Sequence, residues 1–158
     1  MPSPHERLAE LGLKLPNPPA PAASYVPTRV VPIGAGRALV YVAGQVSVED
    51  GKRLTGRCPD EVSIEEAQAR ARVCALNVLA QLEAAAGLDN VEQVAQVIGF
   101  VLSEDGFGDQ PTVINGASDL LVEVLGEAGR HTRAALGTNA LPFSVTVEVA
   151  AVAVVRIR

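Results

Sequence analysis

The chain has 158 residues, enough for one domain with a full core and too few for two of ordinary size. Nearly half of it is apolar, yet it holds three Phe, two Tyr and no Trp, so that core must be built from Val, Ala, Leu and Ile. Eighteen acidic residues outweigh thirteen basic ones, no basic run occurs, and aromatic platforms for stacking bases are scarce. Nucleic acid is therefore a disfavoured partner.

In chain order, residues 4–12 predict a short helix stopped by Gly12, followed by a stretch in which Pro16, Pro18, Pro19 and Pro21 enforce an extended path. Residues 1–24 thus read as an N-terminal helix and proline arm lying on a single domain, 25–158. Strands at 28–33 and 38–46 flank Gly34-Ala35-Gly36 and predict a hairpin, followed by a polar loop or short hairpin around Asp50-Gly51. A helix opens at Ser63, whose S-x-x-E spacing to Glu66 predicts a capping box, and stops at Gly87. A buried strand follows over about 94–102. A second helix runs from Asp109 or Gln110 to about Leu125 or Gly126, with Pro111 in its first turn. Strands at 131–137 and 144–156 close the chain. The order β-β-α-β-α-β-β predicts an α+β fold: a mixed sheet with two helices packed on one face. The other face, rich in Val and Ala, predicts self-association.

The N-terminus lacks the apolar region of a secretory signal, and no stretch approaches the ~20 apolar residues that span a bilayer. A cytoplasmic, membrane-free protein is expected, with Cys58 and Cys74 as free thiols. P-loop, dinucleotide, zinc-protease and nucleophile-elbow motifs are absent, and His5 and His131 are too few for a His-rich metal site. Neither metal nor cofactor is expected.

One local pattern breaks. Val145, Val147, Val149, Ala151, Ala153 and Val155 share one face of the last strand, while Glu148 stands as the single charge mid-strand on the other. A carboxylate there is costly unless paired or hydrated, although an edge strand with Glu148 in solvent fits the same pattern. Arg133 is a second charge among small residues, and alone it also fits a surface arginine or a salt bridge. If the two late strands lie side by side, Arg133 can hold a ligand carboxylate bidentately while Glu148 positions or deprotonates a water.

These residues fall in a pattern that resembles a known family. YVAGQV (41–46) is similar to the S-G-Q strand of the Rid (YjgF, or L-PSP endoribonuclease-like) proteins, and PTVINGASDLL (111–121) to their second-helix segment. RAALGTNALPFSVTVEVAAVAV (133–154) resembles their C-terminal signature, in which an arginine precedes Leu-Pro and then Val-Glu, with fifteen positions from arginine to glutamate. The segment before residue 25 resembles a longer-chain branch. The resemblance implies a chorismate-mutase-like homotrimer with clefts between subunits. It also implies cofactor-free, metal-free hydrolysis of enamine or imine acids, such as 2-aminoacrylate or 2-iminopropanoate, to a 2-keto acid and ammonia. Under it, Arg133 clamps the substrate carboxylate and Glu148 orients the attacking water. Asn115 lines the cleft, Tyr25 sits near its mouth and Gly44 offers backbone contacts. Ala43 and Ala135 stand where the family has a serine and often a cysteine, which predicts a more apolar cleft. The alternatives are a non-catalytic trimeric binder of small carboxylates and, against the net charge of −5, an endoribonuclease.

Overall fold

A computed structural model describes all residues, 1–158. Seven strands and three helices follow in the predicted order: α1 (Pro4–Glu10), β1 (Thr28–Gly34), β2 (Arg37–Val46), β3 (Val48–Glu49), β4 (Lys52–Arg53), α2 (Ile64–Ala86), β5 (Val91–Leu102), α3 (Gln110–Leu125), β6 (Thr132–Thr138) and β7 (Val147–Arg156). Five strands form one sheet in the order β1-β2-β7-β5-β6, while β3 and β4 make a separate hairpin. Every pairing in the large sheet is antiparallel except β5 with β6. The α+β class and the mixed sheet are as expected.

One expectation is corrected. The strands carrying Arg133 and Glu148 are not neighbours, because β5 lies between β6 and β7. The β5-α3-β6 crossover makes a parallel pair, and β7 then inserts antiparallel on the far edge of β5, next to β2.

The alternation in β7 explains its central place. Val147, Val149, Ala151, Ala153 and Val155 are buried against the helices. On α2, Ala67, Ala71, Cys74, Val78 and Leu82 recur at helical spacing and meet them, joined by Ile114, Ala117 and Leu121 of α3. Each fully buried Leu in this layer contributes roughly 1.5–3 kcal/mol. Alanine on the facing sides lets the layers approach closely. Leu8 of α1 belongs to the same core, and Arg7 Nη1 donates to the Val124 carbonyl at 3.4 Å, so the N-terminal helix is docked onto α3. Both cysteines are free and buried. No helix is long and apolar enough to cross a membrane.

The caps refine the sequence reading. At α2 the Ser63 side chain accepts from the Glu66 N–H at 3.1 Å, but the reciprocal bond is not made. The complete capping box is at α1, where Ser3 and Glu6 satisfy each other. The sheet face away from the helices carries Tyr41 and Leu136, 48% and 47% exposed, together with Ile98, Phe100 and Val152. It is an apolar surface without cover in the single chain.

Candidate active site

The proline arm runs across the end of the sheet where β2 ends and β7 begins. Gln81 on α2 holds it there: its amide donates to the Pro19 carbonyl at 2.8 Å and to Gln45 Oε1 at 3.3 Å, while Gln45 Nε2 donates to the Ala43 carbonyl. Both glutamines are buried, so this bridge fixes the arm to the sheet through satisfied polar groups. The Ala43 N–H donates to Pro27 and extends the contact. Between arm, sheet and the β3–β4 hairpin lies a cleft of about 670 Å³, lined by Tyr25, Ala43, Gly44, Arg53, Phe143 and Glu148 among others.

Glu148 forms its inner wall. It is half-buried, makes no ion pair and accepts no hydrogen bond, and burial pushes its carboxyl above the usual carboxylate range. The β2–β7 register slips between Val42 and Gln45, a bulge that turns Gly44 toward Glu148. A Cβ on Gly44 would stand 2.5 Å from Glu148 Oε1, so this side-chain position requires glycine. Gly44→Ala is therefore expected to swing the carboxylate aside. Because the displaced atoms end a flexible side chain, stability should barely change, which thermal melting of the variant checks.

Across the mouth, the Arg53 guanidinium lies 3.7 Å from the Phe143 ring centroid. Phe143 and Ser144 have φ of 58° and 57°, the left-handed region that non-glycine residues avoid. That turn follows Leu141-Pro142 and directs the ring at the cleft.

The structure divides the six site residues named from sequence into two groups. Tyr25, Gly44 and Glu148 line the arm cleft. Arg133 pairs with Val97 on β5 and Glu148 with Phe100; three positions apart in an unbroken register, they face opposite sides of the sheet. Arg133 instead points to α3, where Nη1 donates to Ser118 Oγ at 3.1 Å and Nη2 to the Pro111 carbonyl at 3.0 Å. Asn115, exposed on α3, shares a helix face with Pro111 and Ser118, and Ala135 shares a strand face with Arg133 while packing against the core. Arg133 has no acidic partner. Two of its five N–H groups are used, leaving one on each terminal nitrogen for a carboxylate.

Ser118 is held in turn. Its hydroxyl lies 2.9 Å from His131 Nε2, and His131 Nδ1 lies 2.6 Å from the Gly129 carbonyl. The carbonyl can only accept, so Nδ1 carries a proton; in the neutral ring Nε2 then accepts from Ser118, and Ser118 Oγ is left to accept from Arg133. Sequence reasoning considered His131 only as a metal ligand and missed Ser118, because neither lies in a recognisable spacing. No three His, Cys, Asp or Glu side chains gather closely enough to hold a metal ion.

Residues 5–154 match the family model described as YjgF/chorismate_mutase-like, which also carries an endoribonuclease label. The chain belongs to the YjgF/chorismate-mutase-like family. It is 44% identical over 145 residues to Protein TCP17 of Trypanosoma cruzi, covering 90% of this chain and 88% of that one. Among solved structures, Atu1372 from Agrobacterium tumefaciens is 43% identical with a TM-score of 0.81, covering 94% of this chain and 89% of that one. E. coli TdcF, solved with bound serine, is 27% identical with a TM-score of 0.60, covering 89% and 94%. These likenesses span the YjgF-type sheet and helices and bear out the family read from the YVAGQV, PTVINGASDLL and RAALGTNALPFSVTVEV segments.

Proposed function

We propose that this protein is a deaminase of small enamine and imine acids, working in clefts between the subunits of a homotrimer. Residues 25–158 form the catalytic unit, and the 1–24 arm roofs the cleft. The observation that carries this reading is Glu148: a half-buried carboxylate without a partner, its pKa raised, placed on a cleft by a glycine. Such a group is a general base in wait.

Arg133 of a neighbouring subunit completes the site by taking the substrate carboxylate on its free N–H fork. Arg133 lies on the edge strand β6, where a neighbouring subunit can reach it, while within one chain it faces away from Glu148. A serine bound to TdcF supports a ligand carrying a carboxylate beside an amino-bearing carbon. The reaction follows from the substrate. Protonation of the enamine at its terminal carbon gives the imine. Glu148 takes a proton from water as its oxygen attacks the imine carbon and passes it to nitrogen; as the C–N bond breaks it takes the proton of the new hydroxyl and returns it to the solvent that protonated the enamine. The products are ammonia and a 2-keto acid, with no oxidant or reductant required. Much of the rate comes from positioning, because the imine is itself reactive.

The test is release of ammonia and pyruvate from 2-aminoacrylate generated in situ, comparing the parent with Glu148→Gln. No acceleration by the parent, or an undiminished rate in the variant, excludes the reading. A second reading, a binder of small carboxylates without turnover, is favoured by the two apolar replacements Ala43 and Ala135. Calorimetric binding of keto acids with no ammonia release would select it.

The pH dependence follows from the direction of the Glu148 shift. Turnover needs the ionised form, so kcat/KM should fall on acidification with a midpoint above the ordinary glutamate range. Stability runs the other way. Because the folded state raises this pKa, it binds the proton more tightly than the unfolded chain does. The stabilising contribution is complete below the unfolded pKa and is lost as pH rises through the folded one. Glu148→Gln should thus melt no lower than the parent at neutral pH, with the difference closing in acid. Thermal melts at matched pH values measure this.

A further inference from the structure

We infer that the preferred substrates are imine or enamine acids whose side chain ends in a second carboxylate, read by Arg53. This rests on the deaminase reading above and names its substrate class. The first observation is size. A cavity of roughly 150 Å³ suffices for a six-heavy-atom ligand such as benzene, and 2-aminoacrylate also has six heavy atoms. The arm cleft, at about 670 Å³, is several times larger. Its lining includes Pro19, Ala20, Pro21, Ala22 and Ala23 of the arm as well as Glu148, so it has room for a substrate side chain beside the reacting atoms.

The second observation is charge. Arg53 and Glu148 are the only charged side chains lining this cleft. They have opposite signs and share one opening, yet they do not close on each other or on any other ion. Arg53 is exposed and makes no hydrogen bond to protein, but its guanidinium is held in place by the Phe143 ring at 3.7 Å. A stacked guanidinium keeps its N–H edge free in the ring plane, the geometry that takes a carboxylate bidentately. Phe143 reaches that position through a left-handed turn, so the backbone spends conformational strain on presenting the ring. The cleft's lining also includes Pro19, Pro21, Ala22 and Pro27, apolar and stiff, which suits a short methylene chain.

The stable keto acids test this without turnover. Calorimetry on the full chain should show 2-oxoglutarate binding at least about tenfold tighter than 2-oxobutyrate, the scale of one charge-assisted contact. In Arg53→Gln that preference should collapse to near unity, and in Phe143→Leu it should shrink. In the parent it should weaken with added salt, as an exposed pair requires. Equal affinity of the parent for the two acids, or a preference that survives in Arg53→Gln, overturns the inference. So does an equal loss of both acids in that variant, which would make Arg53 the primary clamp. Ammonia release from 2-aminoacrylate by the parent, scored in parallel, reports on the deaminase reading alone.

Discussion

Arg133→Ala and Glu148→Gln subunits, each inactive alone, are expected to regain about a third of parental activity when assembled together in mixed rings. The geometry sets the expectation. Within a chain Arg133 faces α3 and Glu148 faces the arm cleft, with β5 between their strands, so no single chain can bring both onto one substrate. Loss of a general base costs about 10²- to 10⁴-fold in rate. Loss of the guanidinium leaves the substrate carboxylate without its charged partner, so both pure variants should be nearly silent. In a three-membered ring with head-to-tail contacts, any 2:1 mixture contains one junction where an intact Glu148 meets an intact Arg133. Co-expression with two affinity tags, purification through both and an ammonia assay provide the measurement. A ring built this way restores activity without restoring either residue in the chain that lost it. No recovery would place the carboxylate clamp elsewhere, and with it the subunit cleft.

What was legible in the sequence was what depends on local pattern. The valine-alanine alternation of β7 and the helical spacing from Ala67 to Leu82 placed the sheet, the helix and the core, because period and burial are linked. Glu148 was legible for the same reason, as the residue that breaks the alternation. Strand order was not. Nothing in residues 131–156 says that β5 sits between the last two strands, since that depends on which edge of a parallel pair the final strand joins. For the same reason Arg133 and Glu148 stood out as two charges among small residues, but their strands read as side by side when β5 separates them. Arg53, Phe143, Ser118 and Gln81 escaped because their roles arise from contacts between distant segments. The stack of Arg53 on Phe143 joins a hairpin to a turn ninety residues later. The bridge from Gln81 to Pro19 joins the C-terminal part of α2 to the arm.

Gly116→Ala should destabilise the protein by about 1–2 kcal/mol, against the direction of helix propensity. Gly116 lies inside α3, where alanine ordinarily gains about 1 kcal/mol over glycine. Here a Cβ would overlap the backbone carbonyl of Gln68, at the closest approach of α3 to α2. A backbone carbonyl in a helix cannot swing aside as a side chain does, so the helices must separate. Overpacking of this kind costs about 1–3 kcal/mol and occasionally more, which outweighs the propensity gain. The separation would also stretch the bond from Gln68 Nε2 to the Thr112 carbonyl, 2.9 Å long in the intact pair. Thr112 adjoins Pro111, whose carbonyl receives Arg133. The loosening should therefore reach the site as well, raising KM for the acid more than it lowers kcat. Denaturant unfolding gives the first quantity and steady-state kinetics the second. A variant that melted higher than the parent would show that propensity wins and that the two helices are free to move apart.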